Sequence, residues 1–99
     1  MIEHTVTFSL KHPPKSDAET AFLGAANKLA AIPGVRDYLI RQQLSAKNSH
    51  TFGISMRFES QAEFDAYLAH PMHMAFVEER WLQEVESFQE ADFVALDSE

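Results

Sequence analysis

Hydrophobic and polar residues alternate over the first ten positions of the chain, in the segment IEHTVTFSL. Threonine and serine fill most positions of one face, and the other face carries Ile2, His4, Val6, Phe8 and Leu10. A period of two is that of a β-strand with one covered face, so this pattern predicts a first strand over Ile2 to Leu10. The same alternation returns later and predicts another strand, with Phe52, Ile54, Met56 and Phe58 on its apolar face.

The segment after Pro13-Pro14 changes to the spacing of an amphipathic helix. Ser16 or Asp17 can cap its start, and Pro33-Gly34 ends it after about Ile32. The apolar residues that recur at helical spacing are Ala18, Phe22, Ala25, Ala26, Leu29 and Ile32. This pattern predicts one helix with a single apolar face.

A second helical region begins at Ser60 and Glu63, which fit the S-x-x-E capping box. Pro71 interrupts this helix after Phe64, Tyr67 and Leu68, and a proline suits the first turn of a new helical segment. In that new segment, the residues predicted to share an apolar face are Met74, Val77, Trp81 and Val85. The second helical region is therefore expected to bend at the proline.

Two further strands complete the pattern. One runs from Val35 to about Leu44 and forms a hairpin with the Phe52 to Phe58 strand across the polar turn SAKNSH, and the other spans roughly Phe88 to Leu96. The order βαββαβ, with right-handed crossovers, gives a four-stranded antiparallel sheet with both helices on one face. We therefore predict an α+β chain of ferredoxin-like topology, forming a single domain over residues 1–99.

The face of the sheet away from the helices has an unusual composition. Its residues in the first and third strands are small and uncharged, namely Thr5, Thr7, Ser9, Thr51, Gly53 and Ser55. A face in contact with water usually carries lysine and glutamate, so a second sheet covering this one is one interpretation. The other is that threonine and serine simply favour strands and meet water.

Composition narrows the classes of function. The formal charge of −7 would repel a phosphate backbone, so we expect no binding to nucleic acid. The chain has no cysteine, which excludes disulfides and thiolate ligands. Its first residues have neither a basic leader nor an apolar run long enough for export or a membrane span. We expect a soluble, cytoplasmic protein with no membrane partner.

The segment AYLAHPMHMAF carries the candidate chemistry. Tyr67, His70 and His73 follow one another in steps of three, so on a helix they lie along one edge, although Pro71 makes this approximate. His73 lies at the border of the apolar face, whereas His4 lies in the middle of the covered face of the first strand. Apolar walls with a few convergent polar groups are typical of a small-molecule site. The residues that we predict to bind such a ligand are His4, Val6, Phe8, Phe22, Met56, His70, Phe76, Val77 and Trp81, with Phe64 as a further wall residue.

An imidazole and a phenol together can move protons without a cofactor. A histidine that titrates near 6.5 can take a proton from a carbon acid or enol, and a phenol that titrates near 10 can donate to the developing oxyanion. Each histidine also has a structural interpretation. His70 can be a helix-start residue, His73 a helix residue without chemistry, and His4 a satisfied core histidine or a group that orients the ligand.

A metal site is a further alternative, since three imidazoles from His4, His70 and His73 could hold zinc or nickel. The proline between His70 and His73 disturbs the helical geometry that would aim both rings at one ion, and no carboxylate lies within the motif. We therefore predict no bound metal and no cofactor.

Three segments resemble the stress-responsive A/B barrel (Dabb) family along essentially the whole chain: IEHTVTFSL, AAIPGV and FDAYLAHPMHMAFV. The Y-x-x-H-P-x-H run is the most specific of them. The resemblance implies a ferredoxin-like fold whose two sheets meet in a homodimeric α/β barrel. It implies no single activity, because most members have no assigned reaction.

Members of this family with known chemistry are plant polyketide cyclases, and the resemblance implies an acid/base role at the positions of Tyr67 and His73. Cofactor-free monooxygenases of antibiotic biosynthesis share the dimeric barrel. Two functions therefore remain open from the sequence. One is a stress or binding protein that holds a small apolar or polyketide-like molecule, and the other is a cofactor-independent enzyme of cyclase or monooxygenase type.

Overall fold

A computed structural model describes residues 1–97, and Ser98 and Glu99 lie outside the described part. The strands are β1 (Ile2–Leu10), β2 (Arg36–Gln42), β3 (Phe52–Phe58) and β4 (Val85–Phe93). The helices are α1 (Asp17–Asn27), α2 (Gln61–Ala69), α3 (Pro71–Phe76) and the short α4 (Leu82–Glu84). A 3₁₀ turn, Lys28–Ala31, extends α1, and a π-helical segment, Val77–Trp81, joins α3 to α4.

The four strands form one antiparallel sheet in the order β2-β3-β1-β4. In the register of the sheet Val6 lies opposite Ile54 on β3 and opposite Glu90 on β4, so all three side chains share a face. The helices cover that face. The predicted βαββαβ ferredoxin-like topology, with helices on one side, is confirmed.

The core lies between the sheet and the helices. Four of its side chains are almost completely shielded from solvent, namely Phe8, Phe22, Met56 and Phe58. The ring centroids of Phe8 and Phe22 are 5.9 Å apart, and Phe22 lies 5.4 Å from Phe76. Aromatic pairs at such separations add to the stabilisation that burial alone supplies. The apolar faces predicted for β1 and β3 therefore form one side of the core.

Capping residues position the helices that border the site. Ser60 Oγ accepts a hydrogen bond from the Glu63 amide at 3.2 Å, as expected for the start of α2. His70 caps α3, because its Nδ1 accepts from the Met72 amide at 3.1 Å, and Pro71 follows at the first helical position. The chain therefore ends one helix and begins the next within two residues, which sets the direction of α3.

The helical region after Pro71 differs from the predicted one. Val85 begins β4 and is not part of the helix, and β4 ends at Phe93, three residues before the predicted end at Leu96. Met74 is 51% exposed, so it does not lie on the apolar face. Met74 precedes Phe76 by two residues in regular α3, and residues two apart on a helix point in nearly opposite directions, so Met74 faces away from the buried side. The π-helical segment that follows has a wider turn, which places residues five apart on one side. It brings Trp81 onto the side of Phe76, with ring centroids 6.3 Å apart.

Candidate functional site

A cavity of about 150 Å³ lies between the helix-facing side of the sheet and the helices. Its walls come from every strand and from both helical regions. The residues that line it are His4, Val6, Leu29, Tyr38, Ile54, Met56, Tyr67, Leu68, His73, Phe76, Trp81 and Glu90. Most of the wall is aliphatic or aromatic, and the polar groups are two tyrosines, two histidines and one carboxylate. This is the composition of a small-molecule site.

Tyr67 reaches the cavity from α2 and is almost fully buried. Burial raises the pKa of its hydroxyl well above the usual value of 10.0, and the nearby Glu90 carboxylate raises it further. The phenol therefore stays protonated at neutral pH. Its O–H is available as a hydrogen-bond donor, since no protein partner for it is found within residues 1–97.

His73 lies beside Tyr67, with ring centroids 4.6 Å apart and the planes tilted by 51°. Its Nδ1–H donates to the Leu68 carbonyl at 3.1 Å, across the break between α2 and α3. A neutral imidazole carries one proton, so this bond fixes the tautomer and leaves Nε2 as an acceptor. The irregular backbone at Pro71 therefore determines which nitrogen of His73 can accept a proton.

The charge state of His73 follows from its surroundings. Burial lowers the pKa of His73 below its usual value of 6.5, and His4 lowers it further, whereas the Leu68 hydrogen bond and Glu90 oppose the change. The net direction is downward. At neutral pH the ring is therefore an uncharged base beside a protonated phenol.

We expect the midpoint of the His73 titration, followed by histidine Cε1–H resonances in NMR, to lie below 6.5. The unfolded chain then binds this proton at a higher pH than the folded chain does. His73 accordingly contributes stability above its unfolded pKa of about 6.5, and that contribution is lost as the pH falls towards the lowered value. A His73→Gln variant identifies the resonance, and a midpoint at or above 6.5 would contradict the assignment.

His4 is 5% exposed and lies deeper in the cavity. Its Nδ1–H donates to Asp92 Oδ1 of β4 at 2.5 Å, and its ring packs 4.9 Å from that of Phe64. A buried imidazole needs such a partner, and the carboxylate supplies it. The His4 ring centroid lies 6.4 Å from that of Tyr67, so Asp92 holds the ring in place close to the phenol.

The structure brings most, but not all, of the predicted site residues together. Those that line the cavity are His4, Val6, Met56, Tyr67, His73, Phe76 and Trp81. Phe8 and Phe22 depart from the expected placement, because they pack against each other and against Trp81 in the core. His70 does not line the cavity, because its ring caps α3. Val77 does not line it either: it follows Phe76 directly, so it lies half-buried at the side of the helix.

Sequence reasoning did not find several lining residues. Leu29, Tyr38, Ile54 and Leu68 are ordinary core or helix residues with no distinguishing pattern. Glu90, and Asp92, which does not line the cavity but holds His4, did carry a signal, because both fall on the same face of the predicted last strand as Phe88. An acidic residue on the covered face of a strand is unusual and points to a partner or a site.

The metal hypothesis needs His4, His70 and His73 around one point. In the structure His70 is occupied with the α3 cap and His4 with Asp92. Over residues 1–97, no group of three or more histidine, aspartate or glutamate side chains is arranged to hold an ion. The absence of a bound metal stays a prediction, which elemental analysis of an untagged preparation can test.

The family model for the stress-responsive A/B barrel domain (Dabb) matches residues 2–95. The chain belongs to the stress-responsive A/B barrel family. The match covers both the histidine of β1 and the Y-x-x-H-P-x-H run, as the sequence resemblance predicted. Membership assigns the domain without assigning a reaction.

Solved structures agree with this membership. A Dabb family protein of ferredoxin-like fold from Mesorhizobium loti is 48% identical, with a TM-score of 0.95 over 96% of both chains. A dimeric ferredoxin-like protein of unknown function from Thermobifida fusca is 25% identical, with a TM-score of 0.78 over 95% of this chain and 90% of that one. Neither of these two matches names a ligand.

A curated relative is longer. A stress-response A/B barrel domain-containing protein of Arabidopsis thaliana is 28% identical over 97 residues, which are 96% of this chain and 37% of that protein. The chain thus spans little more than a third of the relative that it matches. Among the helices of residues 1–97, none has the length and apolar character needed to cross a membrane.

Proposed function

We propose that this Dabb domain binds a small, mostly apolar molecule, about one ring in size, in the cavity between sheet and helices. The observation that carries the proposal is the pair of Tyr67 and His73 on the wall of a mostly apolar cavity, with ring centroids 4.6 Å apart. An apolar cavity of roughly 150 Å³ is large enough for benzene. A multi-ring polyketide needs a larger pocket, of at least about 300 Å³.

The polar groups of the cavity define which hydrogen-bonding groups a ligand needs. The Tyr67 hydroxyl donates a hydrogen bond, and Nε2 of His73 accepts one because Nδ1 is bonded to Leu68. An alcohol, enol or phenol oxygen can use both. Benzyl alcohol combines one ring with such an oxygen and is therefore a suitable neutral probe.

Fluorescence of the single tryptophan tests this proposal directly. The chain has one tryptophan, Trp81, and it lines the cavity. Titration with benzyl alcohol is expected to change its emission in a saturable way. Ethanol serves as the matched control, because it has the hydroxyl without the ring. A linear, unsaturable response to both alcohols would contradict binding in the cavity.

A second candidate function is proton transfer, and the fixed tautomer of His73 favours it. In an aryl methyl ketone such as acetophenone, Nε2 of His73 would take a proton from the methyl carbon while Tyr67 donates to the enolate oxygen. Return of a deuteron from D₂O exchanges the methyl protons, which NMR can follow. Exchange no faster than in buffer would reject this candidate and leave the binding proposal intact.

We also propose that two copies of the chain associate through the sheet face opposite the helices. The similar Thermobifida fusca protein is dimeric. Small residues such as Thr5, Thr7 and Gly53 form the middle of this face, and Leu39 and Phe93 are about half exposed at its sides, at 48% and 55%. Small side chains in the middle of a face, with apolar residues such as Leu39 and Phe93 at its sides, suit packing against a second sheet.

A Gly53→Lys variant should convert the dimer to a monomer. A Cβ at Gly53 would meet its nearest atoms at 3.8 Å, which is ordinary contact, so the protomer tolerates a side chain there. The lysine would place a charge in the centre of the interface. Light scattering at micromolar concentration is expected to give twice the 11.2 kDa chain mass for the parent and one chain mass for the variant.

Gly24→Lys is the matched control, because a Cβ there has no atom within 4 Å and the residue is exposed on α1. It should remain dimeric. A parent protein of one chain mass, or a Gly53→Lys variant that is still dimeric, would contradict the proposed interface.

A further inference from the structure

Strand β4 carries two carboxylates on the side of the sheet where the helices lie, although the strand itself is exposed after Val85. The register places Asp92 opposite His4 and Glu90 opposite Val6, so both acids point to the same side as the cavity. Asp92 is occupied, because His4 donates to it. Glu90 lines the cavity instead. Within residues 1–97, none of the ion pairs involves its carboxylate.

Glu90 differs from the other groups around it. It is the acidic residue among those that line the cavity within the described chain, and neither lysine nor arginine lines it. The side chain is exposed, which places it at the open side of the cavity, while Val6, Ile54 and Met56 form the interior. The cavity therefore has an apolar interior and a negatively charged, unpaired group at its mouth.

The carboxylate acts on the polar groups inside. It raises the pKa of Tyr67 and opposes the lowering of the His73 pKa. Both effects have the sign expected of a negative charge close to the two rings. The same field must act on any ligand that reaches Tyr67 and His73.

We propose that Glu90 selects ligands that carry a protonated amine next to their apolar part, and that it disfavours carboxylates. This inference rests on the proposed function, since it specifies which class of small molecule the same cavity takes. The apolar part occupies the interior, and the ammonium group pairs with Glu90 at the mouth. The faces of Trp81 and Tyr67 stabilise a nearby cation as well.

Three ligands of one shape test the proposal, namely benzylamine, benzyl alcohol and benzoate, each titrated by Trp81 fluorescence at pH 7.5 and low salt. Opposite charges about 4 Å apart in water attract by an amount equal to about fivefold in affinity. We expect benzylamine to bind about fivefold more tightly than benzyl alcohol, and benzoate about fivefold more weakly. In Glu90→Gln the affinities for benzylamine and benzoate should converge on that for the alcohol.

The matched control is Glu86→Gln, on the same exposed strand but outside the cavity lining. It removes the same charge about 13 Å further along the strand, so it should keep the parent preference. Equal affinities for all three ligands in the parent, or a preference that Glu86→Gln abolishes equally, would overturn the role of Glu90. Failure of all three to bind would overturn the proposed function together with this inference, whereas benzyl alcohol binding without charge preference overturns the inference alone.

Discussion

A His73→Ala variant should bind benzyl alcohol about tenfold more weakly than the parent protein. The substitution removes the Nε2 acceptor and the ring that packs 4.6 Å from Tyr67. One hydrogen bond in a site of this kind is worth about 0.5–1.5 kcal/mol, and about 1.4 kcal/mol corresponds to tenfold. Calorimetric or fluorescence titration gives the two affinities directly.

Two further variants distinguish a role of these residues in ligand binding from a role in the structure of the helices. Tyr67→Phe keeps the ring and removes the hydroxyl, so a loss of about threefold to tenfold there identifies the donor. His70→Ala is the control, because His70 caps α3 and does not line the cavity. It should lower stability by about 1 kcal/mol and leave ligand affinity unchanged. Parent-like affinity in both His73→Ala and Tyr67→Phe would show that these residues serve the helices only.

The largest expected effect on stability is that of Phe22→Ala. Phe22 is fully buried on α1, and its ring contacts those of Phe8, Phe76 and Trp81. Truncation of such a side chain leaves a cavity and costs about 3–5 kcal/mol of the free energy of unfolding. Since small domains have only about 5–15 kcal/mol in total, the variant should lose much of its stability.

Urea unfolding at a fixed protein concentration measures this loss, because the stability of a dimer depends on concentration. Leu82→Ala is the control, since Leu82 is 63% exposed and its truncation should change stability by less than about 0.5 kcal/mol. A change below about 1 kcal/mol for Phe22→Ala would contradict its central place in the core.

The sheet could be predicted from the sequence because its side-chain period is strict. The alternation in β1 and β3 assigned residues such as Phe8 and Met56 to the covered face, and both are buried there. A shift of the strand pairing by one residue would have exposed all the apolar side chains of a strand, so the pattern allows only one register. Prolines and glycines between the apolar segments marked the ends of the elements, so the order of the elements could be predicted as well.

The helix after Pro71 could not be predicted with equal accuracy. A regular helical period assigned Met74, Val77, Trp81 and Val85 to one face, whereas the π-helical segment moves Trp81 to the side of Phe76. Such a segment depends on tertiary packing and has no local sequence signature. Its position beside the candidate site agrees with the frequent occurrence of π-bulges at functional sites.

Part of the candidate site could be predicted from the sequence, and part of it could not. Tyr67 and His73 follow from their spacing and from the family resemblance, but the tautomer of His73 depends on the Leu68 carbonyl, which only the broken helix brings into reach. Asp92 lies 88 residues from His4 in the chain, and no local pattern could pair them. Inward-facing acids on a predicted strand are the signal that could have pointed to Glu90 and Asp92.

The proposed function requires a small molecule to enter the cavity between sheet and helices. Methionine methyl NMR can observe this entry at the cavity wall, because the chain has four methionines and only Met56 lines the cavity, whereas Met72 and Met74 are exposed at 43% and 51%. With methyl-labelled protein and benzyl alcohol, we expect the Met56 resonance to shift and to show nuclear Overhauser contacts with the ligand ring. Shifts confined to Met1, Met72 or Met74, with Met56 unchanged at saturating ligand, would show that the ligand does not enter the cavity.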